Sequence, residues 1–189
     1  MWIGTWNVNG KLLREDAVRW IQSTTELNTD MYILGLEEIV PLNPLTILFE
    51  YGVDSQRQEW IQFIQEVLQD IHHMSFTCLS SVSMVGLFLA VFVPSTKTTM
   101  YSTISTGKVA TGMIGFTGNK GAVSIRLQIN NSRIIFICSH LTPHQWFIQE
   151  RNHDFHKFRM IGRVNCRIWD EMLFEDQSMI SPTDCVIWV

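Results

Sequence analysis

Apolar and small polar residues alternate from Trp2 to Val8 and stop at Asn9-Gly10, the pattern of a strand entering a turn. Ala17, Val18, Trp20 and Ile21 then recur at helical spacing within Asp16 to Leu27. Met31 to Leu36 is a short apolar run, read as a buried strand, and it ends abruptly in Glu37-Glu38. Ile39 to Leu48 contains two prolines and reads as an irregular connection. Asp54 is the expected N-cap of the clearest helix, whose apolar face carries Trp60, Ile61, Phe63, Ile64, Val67, Leu68 and Ile71. Three strands are expected at Ser75 to Ser80, Gly86 to Val93 and Thr98 to Ile104. Gly107 to Gly121, rich in Gly and Thr, reads as a loop. Ala122 to Ile129 and Arg133 to Ser139 form two strands joined by a hairpin-like turn at Asn130-Asn131-Ser132. Phe147 to Leu173 is expected to be helical over much of its length, and Cys185 to Val189 opens another strand. Strands and helices in this mixed order predict a layered α/β fold with a mixed or largely antiparallel sheet.

The chain has 189 residues, 46% of them hydrophobic and 17% charged, which fits one folded domain, here residues 1–189. Val186 to Val189 is an apolar strand start without a cap or polar exit, so the domain is expected to be C-terminally incomplete. The longest apolar runs are too short to span a bilayer, and the N-terminus lacks a basic region followed by an apolar stretch. A net charge of −4 argues against a nucleic-acid partner. The four cysteines, Cys78, Cys138, Cys166 and Cys185, form no CxxC pair and read as free, mostly buried thiols.

Four stretches place polar residues at strand ends or in adjoining loops, where rigid scaffolds hold reacting groups. Asn7 and Asn9 lie two apart at a strand end and share a side, although Asn9-Gly10 is also a common turn pair. Glu37-Glu38 offers carboxylates suited to a hard divalent cation. Because neighbours on a strand point to opposite faces, one of the two at most is expected to be a ligand. Gly118-Asn119-Lys120-Gly121 allows backbone N–H groups near an anion with a point charge beside them, or is simply a flexible loop. Met113, Ile114 and Phe116 are apolar within that segment, as core anchors or as a lipid-touching patch. His140 ends a very apolar strand. His140 and His144 have the spacing of a zinc helix, but Pro143 separates them and no Glu follows His140, which excludes a metalloprotease. GxSxG is absent, and no arginine stands six positions after Cys78, Cys138 or Cys166. A serine nucleophile elbow and a cysteine phosphatase loop are thereby excluded.

Taken in order, Gly4-Thr-Trp-Asn-Val-Asn-Gly10, Gly35-Leu-Glu-Glu-Ile-Val-Pro-Leu-Asn43, Thr111-Gly-Met, Thr117-Gly-Asn-Lys-Gly-Ala-Val123, Cys138-Ser-His-Leu141, Glu150-Arg-Asn152 and Asp154-Phe155 resemble the inositol-polyphosphate 5-phosphatases, and within them the synaptojanin-like branch. The resemblance runs from the first strand to Val189. It implies a four-layer α/β sandwich of two mixed β-sheets flanked by helices, the fold of the endonuclease/exonuclease/phosphatase superfamily. It also implies Mg²⁺-dependent removal of the 5-phosphate from phosphoinositide lipids or soluble inositol polyphosphates, without a covalent intermediate. By the same resemblance Glu38 binds Mg²⁺ with Asn9 near it, Asn7 orients phosphate or water, and His140 hydrogen-bonds the scissile phosphate. Asn119, Lys120, Arg151 and Asn152 contact substrate, and Met113, Ile114 and Phe116 face the membrane. A cytoplasmic, peripherally membrane-associated enzyme without a nucleic-acid partner is the corresponding expectation. The family's Gly-Asp-x-Asn segment, whose Asp helps activate water, its Pro-Ala-Trp-x-Asp-Arg segment and an Asp-His pair fall beyond Val189, so the 189-residue chain itself is expected to be inactive. A shortened relative that binds phosphoinositide or a partner without hydrolysis is the alternative. A nuclease of the same superfamily is disfavoured by Thr-Gly-Asn-Lys-Gly, Ser-His-Leu and the acidic charge.

Overall fold

The computed structural model describes residues 1–24, 29–42, 52–111, 120–156, 174 and 184–189. The first sheet is built from β1 (Trp2–Asn7), β2 (Tyr32–Glu37), β3 (Phe76–Met84) and β4 (Leu87–Pro94), in the order β1-β2-β4-β3. β1 and β2 run parallel, and β4 is antiparallel to both β2 and β3. Helices α1 (Arg14–Thr24) and α2 (Val53–His72) supply the crossovers around it. A 3₁₀ turn (Ser95–Met100) leads to the second sheet, β5 (Tyr101–Ala110), β6 (Gly121–Ile129), β7 (Ser132–His140) and β8 (Cys185–Trp188), paired in sequence order. β7 and β8 are parallel and the other pairs antiparallel, so both sheets are mixed. Helix α3 (Ile148–His156) follows β7.

Side-chain alternation explains the layers. Along β2, Tyr32, Leu34 and Leu36 face the helices and join Trp60, Ile64, Leu68, Phe88 and Phe92 in one core. Ile33 points the other way and joins Leu89, Val91, Val123, Ile125, Phe136 and Cys138 in a second core between the sheets. β2 and β4 are thus covered on both faces, which is why they read as unbroken apolar runs. A third cluster, with Val109, Ala122, Ile135, Ile137 and Phe174, covers the outer face of the second sheet. There the buried Arg126 places its guanidinium 4.1 Å from the centre of the Phe174 ring.

Three expectations need correction. Asp54 does not cap α2: Gly52 does, at φ 79°, and Asp54 sits in the first turn, 3.4 Å from Arg57. Glycine takes the left-handed cap conformation without a β-carbon penalty. The expected loop from Gly107 is strand as far as Ala110, because β5 pairs with β6 out to Ala110 opposite Gly121. The third of the three middle strands begins at Tyr101 rather than Thr98, the preceding residues forming the 3₁₀ turn. Of the expected helix after Phe147, Ile148–His156 is seen and the remainder lies outside the described residues. Cys78, Cys138 and Cys185 are free, but only Cys138 is fully buried and Cys185 is exposed; Cys166 lies outside the described residues.

The second sheet packs directly against β2 at Gly35, where β2 has no side chain. A β-carbon on Gly35 would lie 2.9 Å from Cys138 Sγ and 2.9 Å from Val189 Cγ1. Overpacking of this kind costs about 1–3 kcal/mol. Gly35→Ala is therefore expected to destabilise the chain by that amount in a urea melt, and an unchanged midpoint would show that the sheets are not held at this spacing.

Candidate active site

The last residues of β1, β2 and β7 and the first of β6 meet at one end of the sandwich. Asn7 and Glu37 are register partners in β1 and β2, and Gly121 is opposite His140 in β6 and β7. Glu37 lies two residues beyond Gly35 on β2, and His140 two beyond Cys138 on β7. Both therefore continue the stacks that fill the space between the sheets. The inter-sheet core ends in a polar layer.

Glu38 joins that layer because the pleat stops there. Its φ is +56°, left-handed, which cancels the expected alternation and turns its carboxylate towards Glu37 rather than away. Backbone bonds hold the bend: Val8 N–H donates to Glu37 O at 2.9 Å, Gly10 N–H to Glu38 O at 2.6 Å and Ile39 N–H to Gly86 O at 3.0 Å. A β-carbon at Gly86 would come within 3.2 Å of Glu38 Cα, so the β3–β4 turn at Val85-Gly86 packs directly against this residue. Ile39 and Val40 are buried just after it and anchor the chain.

Asn7 ties the two carboxylates together. Its Nδ2 donates to Glu38 Oε1 at 3.0 Å and approaches Glu37 Oε2 at 3.5 Å, while its Oδ1 accepts the Asn9 N–H at 3.0 Å. His140 Nε2 lies 3.7 Å from Glu37 Oε2 and 3.6 Å from Glu38 Oε1, and Lys120 Nζ is 2.6 Å from the same nitrogen. An ammonium can only donate, so Nε2 accepts and the ring proton belongs on Nδ1. Burial, then the Lys120 charge, push His140 down to about 4 against the partial opposition of Glu38; the imidazole is neutral at pH 7. Glu37 is raised, chiefly by desolvation and further by Glu38, with Lys120 and the Asn7 hydrogen bond opposing.

Two carboxylates facing one ammonium leave an excess of negative charge in a half-buried place. Among the described residues no group of three or more His, Cys, Asp or Glu forms a metal cage. Mg²⁺ asks for less, since it is commonly bound through one or two carboxylates and retains waters. The donor set therefore fits a hard divalent cation, and Glu38 and Glu37 could supply oxygen ligands to it.

The structure thus gathers Asn7, Glu38, Lys120 and His140 from the sequence-predicted set and adds Glu37, since alternation had allowed one carboxylate of the pair at most and the resemblance had pointed to Glu38. Ile39 and Val40, two consecutive apolar residues followed by Pro41, were the signal that the pleat ends at Glu38. Asn9 stands beside the cluster, but its side chain is exposed and its described contact runs through its backbone, at φ 50° in the turn with Gly10. The Arg151 guanidinium donates to the carbonyls of Thr142 and Gln145, each at 3.3 Å, and to that of His144. Those bonds brace the loop after β7. Asn152 is exposed on α3, and Asn119, Met113, Ile114 and Phe116 lie outside the described residues. Two clefts, of about 530 Å³ beside His73 and about 410 Å³ beside His72 and Lys97, sit at the opposite ends of β2 and β4, away from the polar cluster.

A histidine buried neutral, with its folded pKa below the ordinary 6.5, binds fewer protons than the unfolded chain between pH 6.5 and about 4. Its contribution is complete above pH 6.5 and is lost as pH falls towards 4, on the order of 3 kcal/mol for a side chain 9% exposed. Thermal melts are expected to show that acid limb in the native chain and a much flatter one in His140→Gln. Equal slopes would place the proton-linked group elsewhere.

A family model described as endonuclease/exonuclease/phosphatase family 2 matches residues 4–189. Human synaptojanin-2 is 32% identical over 171 residues, covering 81% of this chain and 11% of that protein. The type I inositol polyphosphate 5-phosphatase 8 of Arabidopsis thaliana is 29% identical over 181 residues, covering 75% of this chain and 37% of that protein. Among solved structures, the inositol polyphosphate 5-phosphatase domain of a synaptojanin, in complex with inositol (1,4)-bisphosphate and calcium ion, superposes with a TM-score of 0.77 at 25% identity. That superposition covers 98% of this chain and 50% of the solved one, so the chain spans half the length of that domain structure or less of each relative. The two mixed sheets agree with the sandwich expected from the sequence, and the chain belongs to endonuclease/exonuclease/phosphatase family 2.

Proposed function

We propose that this chain carries the metal- and phosphate-binding part of a phosphatase that removes the 5-phosphate from phosphoinositides or soluble inositol polyphosphates. The observation that carries the reading is the convergence of Asn7, Glu37, Glu38, Lys120 and His140 in one half-buried cluster. The solved relative supports the substrate class. Inositol (1,4)-bisphosphate, its ligand, is what remains when a 1,4,5-trisphosphate loses its 5-phosphate.

Hydrolysis of a phosphate monoester by water needs an in-line nucleophile and neutralised non-bridging oxygens. Mg²⁺ held by Glu38 and Glu37 would supply Lewis-acid charge neutralisation when bound. The chain's own groups supply the rest of the positioning. A phosphate dianion meets the Lys120 ammonium, the cluster's positive charge. Its approach raises the proton affinity of His140, and a proton taken from solvent onto Nε2 then lets the imidazolium donate a hydrogen bond to a phosphate oxygen. Asn7, anchored by the Asn9 N–H and both carboxylates, fixes the acidic pair so that little reorganisation is needed when substrate arrives. The described residues carry no serine or cysteine placed to act as nucleophile; Cys138 is buried, with its thiol pushed well up by desolvation. Direct attack by water belongs to the same reading. Peripheral contact with a cytoplasmic membrane face, with Met113, Ile114 and Phe116 among the contacts, belongs to the same reading. Among the described residues no helix is long and apolar enough to cross a membrane.

Phosphate release from PtdIns(4,5)P2 with Mg²⁺ tests the proposal, measured on the 189-residue chain and on the longest natural product that contains it. In the active form, Lys120→Ala is expected to lower kcat by about a hundred- to a thousandfold. Glu38→Gln is expected to raise the Mg²⁺ needed for half-maximal rate by about tenfold or more. Lipid binding without release in every form would reduce the protein to a phosphoinositide binder. Release insensitive to Glu38 would remove the metal assignment.

A further inference from the structure

The β3–β4 turn reaches both halves of the polar cluster, and its residues reverse the usual preference of a two-residue hairpin. Met84 pairs with Leu87, so Val85 and Gly86 form the loop. Such loops favour glycine or asparagine where φ is positive. Here Val85 takes the positive value, 49°, and Gly86 does not. A β-branched side chain is among the poorest choices for that region. Val85 is also buried. Strain of this kind persists only where the surroundings over-determine it.

Space, not backbone freedom, explains the glycine. A β-carbon on Gly86 would meet Glu38 Cα at 3.2 Å, Glu38 N at 3.4 Å and Leu42 Cδ2 at 3.1 Å. The Gly86 carbonyl accepts the Ile39 N–H at 3.0 Å, so the turn and the bend at Glu38 are tied as well as packed. On the other side Met84 reaches the second sheet. A β-carbon on Gly121 would lie 2.8 Å from Met84 Cε and 2.0 Å from Val109 O. Gly121 stands opposite His140 and follows Lys120, whose carbonyl accepts the Thr111 N–H at 2.8 Å. Three consecutive residues thus bear on the carboxylate side of the cluster at one end and on the Lys120 and His140 side at the other.

We propose that Met84, Val85 and Gly86 are positioning residues: the turn is a strut that sets where Glu38 stands relative to Lys120 and His140, and so fits the site to a small divalent cation. The proposal rests on the reading of the cluster as a metal and phosphate site. It deepens that reading by naming what makes the site selective between cations. Mg²⁺ demands near-ideal octahedral ligand positions, whereas the larger Ca²⁺ accepts irregular ones. A small displacement of the Glu38 backbone therefore penalises Mg²⁺ far more than Ca²⁺. Gly86 is where such a displacement can be made, because an added methyl group presses on Glu38 without entering the cluster.

The test is calorimetric titration of the 189-residue chain with Mg²⁺ and, separately, with Ca²⁺, in the absence of any substrate. The native chain is expected to bind both. Gly86→Ala is expected to weaken Mg²⁺ about tenfold or more and to leave Ca²⁺ nearly unchanged. Val85→Gly takes φ 49° without strain and loosens the strut without adding an atom, so it should shift the ratio of the two affinities in the same direction. Val93→Ala, at the far end of β4, weakens the inter-sheet core away from the turn and should keep both affinities. Circular dichroism verifies that each variant is folded. Equal losses for the two cations, unchanged Mg²⁺ binding in Gly86→Ala and Val85→Gly, or a matching loss in Val93→Ala overturns the strut. A native chain that binds Ca²⁺ but not Mg²⁺ overturns it too. A native chain that binds neither cation overturns the site reading instead.

Discussion

Glu38 holds a left-handed backbone, which a residue with a β-carbon adopts only when its surroundings insist. The insistence comes from three directions. Gly10 donates to its carbonyl, Ile39 is bound to Gly86, and the buried side chains of Ile39 and Val40 fix where the chain must go next. Without that bend β2 would continue its pleat and deliver its two carboxylates to opposite faces. One would then be lost to the helical side of the sheet. With it, both face Asn7, Lys120 and His140. The backbone strain at one residue is what converts the end of a strand into a two-carboxylate site.

The second constraint is the spacing of the sheets. Glu37 belongs to the same stack as Ile33 and Gly35, and His140 to the same stack as Phe136 and Cys138. The distance between carboxylate and imidazole is therefore inherited from the packing two residues deeper, where Gly35 lets Cys138 approach. The same inheritance explains the electrostatics. A polar layer that caps a hydrophobic core is partly desolvated by it, and this raises Glu37 and lowers His140. The charge imbalance that suits a divalent cation follows from the fold, not from the residues' identities alone.

Much of this was legible in the sequence, and the failures have physical causes. The apolar runs of β2 and β4 announced two-sided burial, and the helical period of Trp60 to Ile71 announced α2. Asn7, Glu38, Lys120 and His140 could be named because each stands at or next to a strand end, in a motif that resembles the family's. Only one carboxylate of Glu37-Glu38 was expected in the site because the alternation rule assumes an unbroken pleat, and a positive φ is a tertiary event that single-residue preference does not forecast for glutamate. Arg151 shows what a sequence motif leaves unsaid: the carbonyls of a turn are a good partner for a guanidinium, and its bonds to Thr142, His144 and Gln145 could not be read from the chain. Asp54 lost the cap to Gly52 because the chain enters α2 at a φ that glycine tolerates best.

The loop after β7 shows the same structural economy. Arg151 donates to carbonyls of a short, proline-containing loop and holds its backbone in place. Trp146, Phe147 and Ile148 stay outside while the backbone that carries them is held at several points. The bracing starts at Thr142, two residues beyond His140, so the geometry of the polar layer and the orientation of the exposed trio are set by one continuous segment.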